Sequence, residues 1–409
     1  MPDHYDALET RDPEARESAL IAALPGHVKH AKKNAPAYAR LLQDVEPREV
    51  VSRKRLAQLP VTRKSELKDL QSAMPPFGGL NATLPGKLAR MFVSPGPIND
   101  PEGKREDYWR MARPLFAAGF RSGDILQNCF SYHFTPAGSM VEGGALKLGC
   151  AVIPAGVGQT EMQVQAIAAL KPNGYVGTPS FLRIIVEKAL ETGADVSSLK
   201  KAMVSGEALP SSLRAWLNDH GIRTLQTYAS ADLGNIAYES EAMEGLIVDE
   251  EIILEIVRPG TGDPVAEGEV GEVVVTTFNH DYPLIRFATG DLSAILPGRS
   301  PCGRTNVRIR GWMGRADQTT KVRGMFVHPG QIAEVVKRHR EIARARLVVD
   351  SVEGQDRMTL RCEAAAGTNA AAIVESIRDV TKLRGEVALV AAGSLPNDGK
   401  VIEDARKYD

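Results

Sequence analysis

The chain has 409 residues, 43% of them hydrophobic and 25% charged, a composition of ordinary globular proteins with room for two or three domains. Lys and Arg number 50 against 51 Asp and Glu, a formal charge of −1, so no overall field favours nucleic acid or an anionic membrane. No apolar run approaches the roughly 20 residues of a membrane span, and the acidic start MPDHYDALETRDPEARE lacks the basic segment and apolar core of a secretory signal.

Residues 15–43 carry helical spacing interrupted at Pro25 and Pro36, which predicts two or three short helices. In LPVTRKSELKDL, Thr62 reads as an N-cap with Glu66 in the first turn. The stretch Ser94–Gly103, SPGPINDPEG, lies between an apolar RMFV and the helix-like REDYWRMARPLFAAGF, the position of a loop that follows a strand and feeds a helix. Such loops hold phosphates with backbone N–H groups and a helix dipole. From Gly123 strands and helices alternate: DILQNCF, GSMVEGGALKLG, CAVIPAG, TEMQVQAIAALKP, GYVGTP, SFLRIIVEKALETG and SSLRAWLNDHG. That alternation predicts an α/β domain with a parallel sheet covered on both faces.

Near Glu250 the pattern becomes β-rich: EIILEIVRP, GEVVVTTF and LIRFATGDLSAIL predict an antiparallel or barrel-like section. Residues 325–409 read as a small α+β unit, the size of a separate lid domain. The four cysteines, Cys129, Cys150, Cys302 and Cys362, are far apart and form no CxxC pair. They argue against a metal cluster or disulfide framework and for reduced thiols in a cytoplasm.

The markers PVTRKSELKD, VIPAGVGQTEMQ, TPSFL, YASADLG, GEVGEVVVT, PLIRFATGDL and GRADQTTKVRGMFVHPGQI, in this order over almost the whole chain, resemble the adenylate-forming superfamily. Within it they resemble the phenylacetate–coenzyme A ligase branch. The resemblance implies a large N-terminal domain with parallel sheets and a barrel-like β section, about residues 1–314, and a small mobile α+β domain, about 315–409. It also implies a reaction: a carboxylic acid, here of an aromatic type, is activated with ATP to an acyl-adenylate and passed to coenzyme A. Negative charge on the attacked phosphate calls for Mg²⁺, backbone donors and a Lys.

Residue by residue, the resemblance assigns Asp291 to the ribose hydroxyls, Tyr228 to the adenine face, and Ala229 and Ser230 to the acyl pocket and nucleotide. Asp232 aligns with the Mg²⁺-binding Glu of the family, and Glu239 is a second acid at a matching position. Glu207, Ser205 and Gly206 in VSGEALP resemble the turn beside the adenine. Arg315 would reach the nucleotide and Asp317 would be the hinge of the tail domain. Lys400 matches the lysine that bridges substrate carboxylate and α-phosphate. Tyr132, His133, Phe134 and Pro136 in SYHFTPAG occupy the acyl-pocket segment.

In SPGPINDPEG only Ser94, Gly96 and Pro101 fall into the family's phosphate-loop register. Pro97 and Ile98 replace hydroxyl donors, and Asp100 stands where the family has Lys. An acid facing a triphosphate at a partly exposed site costs about 1–4 kcal/mol, which Lys104 and Arg105 would offset. A non-catalytic nucleotide- or acyl-binding protein, and an adenylating enzyme with an amine or carrier-protein acceptor, are the alternative readings. Retention of Asp232, Asp291, Asp317 and Lys400 argues against a decayed site. Expected partners are a small carboxylic acid and neither nucleic acid nor membrane; the oligomeric state, monomer or homodimer, is left open.

Overall fold

Asp12 accepts backbone hydrogen bonds from Glu14 and Ala15, both at 3.0 Å, and so starts the first long helix, Pro13–Asn34. The computed structural model to which it belongs describes residues 4–406 apart from 95, 208, 314, 317–319, 323, 324, 328, 353, 354 and 366. The helix runs through Pro25, where a break was expected. Pro25 has no N–H for the carbonyl one turn back, but Leu20, Leu24, Val28 and Ala31 bury one face along its whole length. That burial, worth about 1.5–3 kcal/mol per large side chain, outweighs roughly 3 kcal/mol for an interior proline. Pro36 does separate two helices, sitting at the first position of Pro36–Leu41.

The chain divides into two compact units: residues 1–255, 274–288 and 295–312 form the first, and 256–273, 289–294 and 313–409 the second. In the first, Thr62 is not an N-cap but part of a two-residue strand, β1 (Thr62–Arg63), followed by the short 3-10 turn Lys64–Glu66 and the helix Leu67–Ala73. A hairpin follows, β2 (Arg90–Ser94) and β3 (Ile98–Glu102). Then come β4 (Ile125–Asn128), β5 (Ala151–Ile153), β6 (Gly174–Gly177), β7 (Lys201–Val204), β8 (Arg223–Ser230), β9 (Gly234–Glu239) and β10 (Leu246–Val248).

These seven strands form the larger part of a nine-stranded sheet, completed by the short strands Ile295–Leu296 and Arg308–Ile309. Neighbours from β5 to β8 pair parallel, and from β8 onward antiparallel. Helices on both faces explain the near-continuous apolar strands. Leu126, Val176, Met203 and Leu225 pack with Leu115, Val141 and Ala145, while Tyr175, Ala202 and Val204 pack with Ile167, Leu182 and Leu217.

Strands β11 (Ile252–Val257), β12 (Gly271–Thr277) and β13 (Phe287–Ser293) form a second sheet with β1 at its edge. In the second unit, the strands Ile342–Val352 and Gln355–Ala364 form a long antiparallel pair. Glu386–Val390 and Ile402–Asp404 flank it in parallel. The helices Pro329–Arg338 and Ala370–Thr381 contribute Ile332, Val335, Ile373 and Ile377 to a core with Leu347, Val349 and Leu360. This is the α+β pattern expected of the tail.

Candidate active site

The proline- and glycine-rich segment does not feed a helix. It turns back on itself as the β2–β3 hairpin, with Ser94 opposite Ile98 and Phe92 opposite Asp100. Phe92 and Ser94 on one strand, and Ile98 and Asp100 to Glu102 on the other, are buried, so strand pairing with a largely buried return strand wins over the loop reading. The Gln71 side chain clamps the hairpin, accepting from the Asn99 N–H at 2.7 Å and donating to its carbonyl at 2.8 Å. The Val93 N–H donates to the Phe134 carbonyl at 2.9 Å, tying the hairpin to the SYHFTPAG segment. Gly96 lies in the exposed turn.

Asp100 therefore does not face an open loop; it is fully buried, and neither carboxylate oxygen has a hydrogen-bond partner. Burial pushes its carboxyl up to about 7, the negative charge of Asp232 adds to the rise, and the charge of Lys64 opposes it; the neighbouring Ser94 hydroxyl donates to the Ile98 carbonyl at 3.2 Å. Asp232 sits in the turn between β8 and β9. The turn is held from beneath by Arg110, which donates to the carbonyls of Leu233 and Asn235 at 2.5 and 2.9 Å. The Asp232 side chain is 1% exposed, and its Oδ2 accepts from Lys64 Nζ at 2.6 Å. Its Oδ1 is buried without a partner. Lys64 was not singled out in the sequence: nothing in TRKSELK distinguishes it from Lys68 before the fold puts it on Asp232.

Beside this cluster the first unit has a cavity of about 290 Å³ that opens to the surface. Ser94, Pro136, Ser205, Gly206, Ala229 and Ser230, all expected at the site, line it. Met111, Phe130, Met140 and Val141 supply its apolar wall and were not anticipated, since as core-like residues they carry no motif. The β8 bulge between Tyr228 and Ala229 re-aims the backbone just before the turn. Ser205 Oγ donates to the Thr227 carbonyl at 2.7 Å, and Gly206 takes a φ of +81° that favours glycine.

The remaining expected residues take other positions. Tyr228 is half-buried and Glu207 exposed, and neither lines the cavity. Tyr132 is held by Asn128 and Glu142, donating to the latter at 2.8 Å. His133 is exposed and stacks edge-on with Phe134, itself 65% exposed. Both oxygens of Glu239 accept from Arg214, at 2.8 and 2.9 Å, and Gln226 donates to it as well. The structure thus engages Glu239 in a buried ion pair rather than placing it with Asp232.

In the second unit, Asp291 and Arg315 come together: Arg315 Nη1 lies 3.1 Å from Asp291 Oδ1, and the two residues form an isolated antiparallel bridge. The Asp291 N–H donates to Thr289 Oγ1 at 3.1 Å, and that hydroxyl donates to the Val273 carbonyl. Lys400 is exposed, with its N–H on Asp398 at 3.1 Å. The adjacent Gly399 packs so closely that a methyl group there would lie 2.5 Å from Val270 Cγ1 and 3.5 Å from Leu292 Cδ1. Lys400 is thereby fixed along the chain next to the strand that bears Asp291. Asp317 lies outside the described residues.

A profile described as AMP-binding enzyme matches residues 107–279. The phenylacetate–coenzyme A ligase of Aromatoleum evansii is 30% identical over 380 residues, covering 88% of this chain and 84% of that protein. That of Thermus thermophilus is 30% identical over 370 residues, covering 85% and 82%. Among solved structures, 2-hydroxyisobutyryl-CoA ligase in complex with 2-HIB-AMP and CoA superposes with a TM-score of 0.73 at 23% identity. That match covers 99% of this chain and 93% of the other and shows a shared fold. With relatives this similar over most of its length, the chain belongs to the phenylacetate–coenzyme A ligase family of adenylate-forming enzymes and is an AMP-dependent acid–thiol ligase.

Proposed function

We propose that this enzyme activates a single-ring aromatic carboxylic acid with ATP and transfers the acyl group to coenzyme A. The observation that supports the choice of acid is the cavity: about 290 Å³, walled by Phe130, Met111, Met140 and Val141. This is at the small end of the roughly 300–1,000 Å³ of small-molecule pockets, a size that suits one ring. The phenylacetate ligases it resembles point the same way.

In this reading Asp291 accepts from the ribose hydroxyls and Arg315, its ion-pair partner, turns toward nucleotide phosphate or ribose. Asp232 has a buried, unpartnered oxygen, a donor that fits Mg²⁺; bound there, the ion would neutralise phosphate oxygens during attack. Ser205 and Gly206 border the reacting carboxylate with close backbone. Lys400 bridges carboxylate and α-phosphate during adenylation, and a hinge at Asp317 then lets the tail present another face for thioester formation.

Pyrophosphate release across a panel of carboxylic acids, with and without coenzyme A, tests the substrate class; aryl and arylacetic acids should lead, and a preference for long aliphatic acids would reject it. Lys400→Ala tests the division of labour. Adenylation should fall at least a hundredfold, while thioester formation from preformed acyl-adenylate should change less than about fivefold. Equal loss in both halves would remove the role given to Lys400.

A further inference from the structure

Asp100 and Asp232 bring two carboxylates into one buried region of the first unit. Asp100 is fully buried with both oxygens unpartnered, and Oδ1 of Asp232 is buried and unpartnered too. The Tyr282 hydroxyl, likewise buried without a partner, feels the charge of both acids. The cation set against them is Lys64, 2.6 Å from Asp232 Oδ2 and 27% exposed at its side chain. With both carboxylates ionised, the single ammonium of Lys64 leaves one negative charge uncompensated beside oxygens that are buried and unpartnered. An arrangement of unsatisfied oxygens and surplus negative charge is costly unless a cation completes it.

We propose that Asp100 and Asp232 together form a divalent-cation site, with Lys64 as its resting counter-ion. The inference rests on the reading of Asp232 as the metal acid and adds Asp100 and Lys64 to it. It also accounts for the residue where this chain departs from its family. Exchanging a loop Lys for Asp changes local charge by −2, which one divalent ion restores. Magnesium is commonly held by one or two carboxylates and completed by phosphate oxygens and water. As the ion takes Asp232, the Lys64 ammonium leaves Oδ2 and turns to the phosphates, supplying the positive charge that the hairpin no longer carries. Ser94, beside Asp100 and on the cavity wall, places this exchange next to the acyl pocket.

The test uses the full-length enzyme without nucleotide and Mn²⁺ alone, its binding followed by electron paramagnetic resonance, with the Tm recorded in parallel with and without Mg²⁺. Wild type should bind one Mn²⁺, and Mg²⁺ should raise its Tm. Asp100→Asn and Asp232→Asn should each weaken Mn²⁺ at least tenfold and abolish the Mg²⁺-dependent rise. Lys64→Met, at a partly exposed position, should tighten Mn²⁺ severalfold because the competing ammonium is gone. If Asp100→Asn binds within twofold of wild type while Asp232→Asn does not, Asp100 is no ligand and the proposal falls, but the reading of Asp232 stands. If neither variant changes Mn²⁺ binding, or wild type binds none, both fall. Unchanged or weaker binding by Lys64→Met overturns the counter-ion role.

Discussion

Gly290 holds a φ of +76°, and the Arg315 guanidinium lies so close that a Cβ there would meet Nη2 at 2.7 Å. The contact explains why glycine precedes Asp291: any side chain would strain the backbone and push Arg315 off the carboxylate beside it. Because one substitution displaces the guanidinium from Asp291 and the other removes it, Gly290→Ala and Arg315→Ala should weaken AMP binding to a similar extent, about tenfold. Asp291→Ala should weaken AMP and ATP alike, since both carry the same ribose. Isothermal titration with AMP measures all three. A folded Asp291→Ala protein with wild-type AMP affinity would reduce this carboxylate to a turn residue.

Among the elements, the helix Pro13–Asn34 carries a cost that the site does not explain. His27 is 6% exposed, its Nε2 has no partner, and its ring lies 5.2 Å from that of Phe278. Burial, with His30 and His280 nearby, pushes its pKa down to about 3. The folded protein thus keeps a neutral imidazole while the unfolded chain takes up a proton below about 6.5. Its contribution to stability is complete above that pH and is lost as pH falls from 6.5 toward 3. The loss is about 1.4 kcal/mol per unit, or roughly 2 kcal/mol at pH 5. Urea unfolding at pH 7.5 and pH 5 should show this loss in wild type and a markedly smaller one in His27→Leu. Identical pH dependence in the two proteins would show that another group sets the acid sensitivity.

For the whole molecule, the proposed mechanism has one set of site residues serve two half-reactions, and the proposed hinge at Asp317 is where that demand falls. A proline fixes φ near −65°, so Asp317→Pro should favour one arrangement of the tail over the other. One half-reaction should then stay within about threefold of wild type while the other falls at least tenfold. Single-turnover pyrophosphate release and thioester formation from preformed acyl-adenylate separate them. Parallel loss of both, in a protein with unchanged Tm, would place the hinge elsewhere.

The alternation of strands such as AVIP and GYVG with amphipathic helices was sufficient for a parallel sheet covered on both faces, because burial on two sides requires apolar runs whatever the loops do. RFATGDL and GRAD marked Asp291 and Arg315, and Ser94, Pro136, Ser205, Gly206, Ala229 and Ser230 do line one cavity. Local propensity misread the segments where tertiary burial decides. Pro25 stays helical because one face is buried, and SPGPINDPEG becomes a hairpin whose return strand is mostly buried. Lys64 and Asp232 are 168 residues apart, and no local pattern links them. Their ion pair, and the sealing of Asp100 beside them, exist only because β1, the hairpin and the β8–β9 turn converge. Sequence spacing encodes which face of an element is apolar; which charges become neighbours when those faces close is settled by the packing alone.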